Sequence, residues 1–329
     1  MLEKRWQILF SSLFIYVLLL GLEGCLRESL PEGVHRVSPS GFHHSILDLS
    51  WCSDREIIIA SEIGTENRPA GRLYLLDTVT HKTKLLVDKW GALYAPDCQP
   101  ASKKVVYNAY LEVAPHAEVW ILDLEEGSGP EYLTPGDEAV WAPDSTRIAI
   151  LLTKREAGIP LSQEIVLYDV DTGTTSTVFS ETLESLYVHA LSWSPDGSQI
   201  AFVRGVDEVV DPLHKWPDEW SIVGWNLAEG ALETLVPLLP EAHYYDYAWS
   251  PDGNHLALLQ SESLGEVKLI IRNLQEGCSI EPLEGLEIEA LDWSPDGRQI
   301  AFSSKGRVYV MEVAKVLGET FFESGLTCP

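Results

Sequence analysis

Six side chains able to hold a ligand occur in two neighbouring stretches of the sequence: His214, Trp216, Trp220, His243, Tyr244 and Tyr245. Aromatic rings on loops are enriched at binding hot spots, where one ring can contribute about 2 kcal/mol or more. We attribute the carboxylates around 207–219 to solvation of a long loop. We therefore predict a partner or ligand site centred on these rings. The alternative is that the rings pack on one another and serve only the fold.

The sequence contains no motif typical of catalysis. It has no Gly-x-Ser-x-Gly, no His-Glu-x-x-His and no phosphate-cradling glycine loop. The segment Asp169-Val-Asp-Thr-Gly173 is similar to the start of a calcium loop, but it coincides with a repeated hairpin, so we interpret it as a turn. We expect no catalytic residue, no metal and no cofactor.

A turn sequence that recurs along the chain predicts the fold that positions these side chains. Its template is Trp293-Ser-Pro-Asp-Gly297, followed by an alternating strand-like segment. Variants of it are anchored at positions 51, 98, 141, 193, 249 and 293, with a cysteine replacing the tryptophan at 98. The spacings of 47, 43, 52, 56 and 44 residues are typical of four-stranded propeller blades.

A second repeated turn lies between the anchors. Examples are Leu122-Asp-Leu-Glu-Glu-Gly127 and Arg272-Asn-Leu-Gln-Glu-Gly277, each preceded by an alternating apolar run. We interpret it as the hairpin between the third and fourth strands of a blade. Together the two repeats predict an all-β fold, a six-bladed β-propeller of four-stranded antiparallel blades.

At these residues the sequence resembles the TolB-type, WD40-like β-propeller repeat, whose signature is the Trp-Ser-Pro-Asp-Gly turn followed by an Ile-Ala-Phe-like strand. The resemblance covers roughly 33–329. It implies a binding platform, a periplasmic scaffold or a non-catalytic domain, because propellers of this type serve in all these roles. Too few residues separate Cys25 from Trp51 for the additional N-terminal α/β domain of TolB, which we expect to be missing.

The ring of blades needs a closing strand, because no clear fourth strand of blade six follows Val313. The segment 33–39 resembles the fourth strands that end at Pro135 and Pro237. We therefore predict an N-terminal strand that closes blade six and removes its exposed edge. The competing candidate is the tail segment 317–324.

The two faces of such a ring differ in their connections. With the strands lettered A to D from the axis outward, both repeated turns (A–B and C–D) lie on one face. The B–C and D–A connections lie on the other face and vary in length, the longest being 204–220 in blade four. The predicted ligand site therefore lies on this variable face, over blades four and five.

The N-terminus resembles an export signal. Two basic residues, Lys4 and Arg5, precede a mostly apolar run that is short for a membrane span. Leu22-Glu-Gly-Cys25 resembles the bacterial lipobox, in which the cysteine is acylated. We predict a lipoprotein signal peptide over 1–24, a tether over 25–32 and the propeller over 33–329, with lipidation at Cys25. The alternative is an uncleaved signal anchor, and both interpretations place the propeller outside the cytoplasm, in the periplasm or at the cell surface.

Charge excludes one class of partner. The chain has 23 Lys and Arg against 50 Asp and Glu, a formal net charge of −27. Such a surface repels phosphate backbones, so we expect no nucleic-acid partner.

Apart from Cys25, four cysteines could form disulfides in an exported chain: Cys52, Cys98, Cys278 and Cys328. Four cysteines allow three connectivities. The repeats place Cys52 and Cys98 on neighbouring innermost strands, where they could pair, which would leave Cys278 and Cys328 to tether the tail. The alternative is buried free thiols. We expect no zinc site, because the cysteine and histidine spacings of zinc sites do not occur.

From these observations we predict an extracytoplasmic, membrane-anchored protein-binding or scaffold propeller without a catalytic domain, whose partner is another envelope or membrane protein. One alternative is a metal-dependent hydrolase or lactonase-like propeller with an ion in the central channel. Another is a carbohydrate-binding module that uses the aromatic cluster. The sequence does not determine the oligomeric state.

Overall fold

The computed structural model describes residues 30–318 apart from position 43 and the ranges 66–67, 100, 112–115, 157–158, 183–185, 207–218, 238–241 and 263–265. The compact unit that begins at Gly33 contains all the strands described below. These strands form six four-stranded antiparallel sheets, which confirms the six-bladed propeller. In the described part of the chain, no helix is long and apolar enough to cross a membrane.

Blades one to three each consist of four consecutive strands, ordered outward from the axis. They follow a first strand, β1 (Val34–Arg36), which belongs to blade six. Blade one contains β2 (Ser45–Trp51), β3 (Glu56–Thr65), β4 (Arg68–Asp77) and β5 (Lys82–Trp90). Blade two contains β6 (Ala92–Gln99), β7 (Lys104–Tyr110), β8 (Glu118–Asp123) and β9 (Glu131–Pro135). Blade three contains β10 (Glu138–Trp141), β11 (Arg147–Glu156), β12 (Ile159–Asp169) and β13 (Thr175–Thr182).

Blades four and five repeat this order, and blade six takes its outer strand from the N-terminal side. Blade four contains β14 (Leu186–Trp193), β15 (Gln199–Val206), β16 (Glu219–Asn226) and β17 (Ala231–Val236). Blade five contains β18 (Ala242–Trp249), β19 (His255–Glu262), β20 (Lys268–Asn273) and β21 (Ser279–Ile280). Blade six contains β22 (Ala290–Trp293), β23 (Gln299–Ser304) and β24 (Arg307–Glu312), followed by a short helix, α1 (Val313–Leu317).

The N-terminal strand closes the ring, as the sequence predicted. β1 pairs antiparallel with β24, with Val34 opposite Met311 and Arg36 opposite Tyr309. The Val37 N–H extends the pairing by donating to the Val308 carbonyl at 3.0 Å. The competing tail segment contributes the end of α1, and its residues from 319 onward lie outside the described part of the chain.

The repeated Trp-Ser-Pro-Asp-Gly turns join strands A and B. In the last of them, the Asp296 carboxylate accepts the Arg298 N–H at 2.9 Å. Gly297 adopts φ 74°, in the left-handed region that glycine tolerates best. Blade three places Ser145 at this position with φ 62°, where its Cβ makes the conformation strained.

The anchor side chains form the contacts between blades. Trp51 is 2% exposed, and its indole N–H donates to the Asp292 carbonyl of blade six at 3.3 Å. The Trp193 indole N–H reaches the Val140 carbonyl of blade three at the same distance. Burying one large aromatic plate per contact removes much apolar surface from water, which is the main force that holds neighbouring sheets together.

Candidate functional site

The six aromatic and imidazole residues that the sequence predicts to form one site do not share one environment in the structure. Trp220 is 4% exposed and Tyr244 is 2% exposed, and both belong to the apolar cluster between blades four and five. The His243 ring lies 6.3 Å from the Trp220 ring, centroid to centroid. The expectation that Trp220 and Tyr244 stand exposed on a loop is therefore wrong, because each ring lies in a regular strand whose inward side faces the neighbouring sheet.

Tyr245 differs from its neighbours, since it is 46% exposed. The pairing of β18 with β19 shifts register between Tyr244 and Asp246, which leaves Tyr245 at a β-bulge. Its hydroxyl bonds to that of Ser261 at 3.3 Å, at the B–C end of the blade. His214 and Trp216 lie outside the described residues, so a site built from all six side chains stays a prediction.

Two of the cysteines form a disulfide that joins neighbouring blades. Cys52 and Cys98 are joined between blades one and two, with their Cα atoms 5.0 Å apart. Both sulfurs lie in the apolar cluster between these blades, where Cys98 takes the place of an anchor tryptophan. Cys278 is also disulfide-bonded. Its predicted partner Cys328, like the predicted lipidation site Cys25, lies outside the described residues.

A cavity of about 330 Å³ lies where the innermost strands meet. Five carboxylates line it, one from each blade except blade four: Asp48, Asp97, Glu138, Asp246 and Asp292. We call these five residues the acidic ring. Between them stand the anchor tryptophans of blades one, three, four, five and six, and three prolines of the A–B turns. The cavity therefore opens along the A–B end of the channel, opposite the variable face.

The acidic ring follows a regular pattern in the sequence. Three residues before the anchor, blades one, three and five carry Asp48, Glu138 and Asp246, whereas blades two, four and six carry Ala95, Ala190 and Ala290. One residue before the anchor, blades two and six carry the remaining pair, Asp97 and Asp292. Positions two apart share one side of a strand, so both sets can face the axis.

Each of four ring carboxylates accepts a backbone N–H from the next blade: Asp97 from Trp141, Glu138 from Leu191, Asp246 from Leu291 and Asp292 from Trp51. The Glu138 bond measures 2.6 Å and the Asp292 bond 2.7 Å. Blade one makes the same kind of contact with a neutral group, since the Ser50 hydroxyl accepts the Cys98 N–H at 3.3 Å. These bonds fix the ring carboxylates in place and link neighbouring blades.

Burial raises the pKa of every carboxyl group in the acidic ring. The pKa of Glu138 is raised to about 8, and the pKa of Asp292 is raised to about 7. Burial also raises the pKa values of Asp97 and Asp246, each to about 6. The pKa of Asp48 lies well above its ordinary value, because burial and then the charge of Asp246 oppose ionisation. The backbone N–H groups favour the charged forms, but burial outweighs them.

Three polar atoms of the described cavity lining lack a hydrogen-bond partner: the indole nitrogens of Trp141 and Trp249 and the Tyr247 hydroxyl. Tyr247 lines the cavity and is 5% exposed, and its hydroxyl makes no hydrogen bond to any described residue. Burial raises its pKa well above the ordinary value, and the nearby charges of Glu138 and Asp246 add to this. A buried hydroxyl without a partner costs about 1–3 kcal/mol, so a group that hydrogen-bonds to it would stabilise this position.

Sequence reasoning missed the acidic ring. It treated the negative charge as solvated surface and looked for function where connections vary in length. The available signal was the alternation of carboxylate and alanine three residues before successive anchors, which appears only when the six repeats are aligned. A single acid in each repeat does not predict a site by itself, because only closure of the ring brings these acids together at one axis.

Sequence comparison with models of protein families gives no match, and no curated protein is similar enough to match either. Among solved structures, TolB from Acinetobacter baumannii is similar, with a TM-score of 0.58 and 17% identity over 80% of this chain. The chain spans 64% of the length of that TolB. A putative TolB from Agrobacterium tumefaciens has a TM-score of 0.56 and 14% identity, covering 82% of this chain and 90% of that one.

An enzyme has a comparable likeness. Oligogalacturonate lyase in complex with manganese gives a TM-score of 0.55 and 14% identity, covering 87% of this chain and 94% of the lyase. Identities this low show the fold alone. They confirm the resemblance to TolB-type propellers at the level of architecture.

Proposed function

We propose that this chain is an extracytoplasmic, membrane-anchored binding propeller that holds another protein of the cell envelope. The observation that carries the proposal is the cavity on the axis of the ring. It is concave, it combines apolar walls with a few fixed polar groups, and such sites are the usual places where folded domains bind ligands. The likeness to two TolB structures supports the propeller architecture on which this proposal rests.

The anchor is part of this proposal and rests on the sequence. A basic start, an apolar run and the Leu-x-Gly-Cys ending favour acylation at Cys25. A single acyl chain holds a protein only marginally, so stable anchoring needs the several chains of a bacterial lipoprotein. Mass spectrometry of the native N-terminus should find acylated Cys25, and an unmodified Cys25 within an intact signal would contradict the anchor.

The metal-dependent enzyme alternative has less support. The lyase that contains manganese shares the fold at 14% identity. Within the described ranges, no group of three His, Cys, Asp or Glu side chains is arranged to hold a metal ion. The ring carboxylates are instead held one by one, each by backbone N–H groups.

Photo-crosslinking in intact cells tests the proposed function. A crosslinking amino acid replaces Tyr245, beside the variable face, or Arg298, which is 80% exposed on the A–B face. Leu85, 46% exposed on the outer strand of blade one, is the matched control. We expect a discrete adduct with one envelope protein from at least one face and none from Leu85. Absence of an adduct from both faces, or equal adducts from all three positions, would overturn the scaffold role.

A further inference from the structure

The sign of the charge in the cavity determines what can enter it. Five carboxylates line the cavity, and its lining contains no Lys, Arg or His among the described residues. Carboxylates that face one another in a cavity repel, as the effect of Asp246 on Asp48 shows. Only a cation or bound protons relieve this repulsion.

Acids and alanines alternate at the position three residues before the anchor. Blades two, four and six carry Ala95, Ala190 and Ala290 there, and the backbone at Ala95 and Ala190 is left-handed, with φ 45° and 53°. Two of the three alanines therefore differ from the acids in backbone geometry as well as in side chain, and only the acids add negative charge to the cavity.

The walls and the geometry favour an organic cation over a metal ion. The five anchor tryptophans that line the cavity present apolar rings, and a cation near such a ring gains about 0.5–2 kcal/mol. No three acidic or imidazole side chains in the described part of the chain are grouped at metal-binding distance. The N–H groups that hold Glu138 and Asp292 leave further lone pairs on each carboxylate, and an alkylammonium needs only single hydrogen bonds to separate acceptors.

The unpartnered Tyr247 hydroxyl supplies one such acceptor. Its ring packs in the apolar cluster between blades four and five, and the charges of Glu138 and Asp246 act on its hydroxyl. An ammonium group has three N–H donors and no acceptor, which matches a hydroxyl oxygen and two carboxylates. We propose that the cavity binds an alkylammonium group, presented either by a lysine side chain of a partner protein or by a free polyamine. This deepens the proposed function by naming the chemistry of its ligand.

Calorimetry on the full-length protein in detergent, at pH 8, tests the proposal with defined probes. The probes are the blocked peptide Gly-Lys-Gly, the same peptide with norleucine replacing lysine, cadaverine and calcium chloride. We expect saturable binding of the lysine peptide or of cadaverine, and at least tenfold weaker binding of the norleucine peptide. Lysine peptide binding at least tenfold more tightly than cadaverine identifies a partner side chain, and the reverse identifies a polyamine.

Variants connect the binding to the ring. The double variant Glu138→Gln and Asp246→Asn should weaken ammonium binding at least tenfold, which corresponds to about 1.4 kcal/mol. Tyr247→Phe, which removes only the hydroxyl, should weaken it about threefold or more by the same conversion. The matched control, Glu131→Gln with Glu233→Gln, changes two exposed carboxylates on outer strands and should bind as wild type.

Three results would overturn the proposal: neither ammonium probe binds, the ring variants bind as well as wild type, or calcium alone binds. Its failure is separable from failure of the scaffold role. Adducts in cells without ammonium binding would contradict only the ligand chemistry. Ammonium binding without adducts would contradict only the envelope partner.

Discussion

Replacing Glu138 by glutamine should make the propeller more stable at alkaline pH. The pKa of Glu138 is raised to about 8 by burial, so the folded chain holds this proton while the unfolded chain, with an ordinary pKa near 4.5, releases it. A raised carboxyl pKa contributes stability that is complete below the unfolded value and is lost as the pH rises through about 8. Glutamine cannot ionise, and its carbonyl oxygen can still accept the Leu191 N–H.

The magnitude follows from the pKa difference. One pH unit of differential protonation corresponds to about 1.4 kcal/mol, so the three units from pH 5 to pH 8 set a ceiling of about 4 kcal/mol. The Glu138 side chain is only half-buried by area because it faces the cavity, and Asp246 shares its field. Screening by cavity water lowers the effect, and we expect about 2 kcal/mol in favour of the variant at pH 8.

Urea unfolding at pH 5, 6, 7 and 8, at constant ionic strength, measures this difference. The two proteins should agree within about 0.5 kcal/mol at pH 5 and diverge steadily as the pH rises. Glu131→Gln, an exposed change of the same type on β9, should follow wild type throughout. A variant that is less stable than wild type at pH 8 would refute the reasoning, because it would mean that the ionised carboxylate stabilises the ring.

Three other changes test the architecture. Deleting 33–39 removes β1 and leaves β24 as an open edge, so the melting temperature should fall and aggregation should rise; unchanged melting would exclude closure by this strand. Changing Cys52 and Cys98 together to serine releases a cross-link spanning 46 residues and should cost about 2–4 kcal/mol in urea unfolding, with equal stability speaking against a structural disulfide. Ser145→Gly should raise the free energy of unfolding by about 1 kcal/mol because it relieves φ 62°, whereas a loss would show that the serine side chain compensates.

Most of the architecture could be predicted from the sequence, because each blade repeats two turns with strong local requirements. The Trp-Ser-Pro-Asp-Gly segment needs a proline, an aspartate and a left-handed residue in order, and few other segments satisfy this. The closing strand was identifiable because 33–39 resembles other outer strands. Each repeated turn predicts its fold only weakly. Six copies of both turns in the same order together predict one ring of six blades.

The candidate site was harder to predict, because exposure is a property of the assembled blades. Trp220 and Tyr244 flank long connections in the sequence, yet strand pairing turns both rings into the core. Tyr245 is exposed because a β-bulge shifts the strand register beside it, and no pattern in the sequence predicts that bulge. The carboxylates of the acidic ring likewise come from separate repeats. They meet only when the ring closes, and local sequence patterns do not report this long-range contact.

The stability of the fold does not explain why the channel carries carboxylates. The contact between one blade and the backbone of the next needs an acceptor, but not a charged one. The Ser50 hydroxyl accepts the Cys98 N–H between blades one and two, whereas Asp97 and Asp292 are the acceptors between blades two and three and between blades six and one. A serine at those positions would keep the bond without a carboxyl group whose ionisation burial opposes. The chain therefore carries carboxylates whose ionisation lowers its stability near neutral pH, at positions where neutral alternatives already occur in the same ring. Residues of this kind are typical of binding sites, where unfavourable burial in the empty protein becomes attraction once the complementary ligand enters.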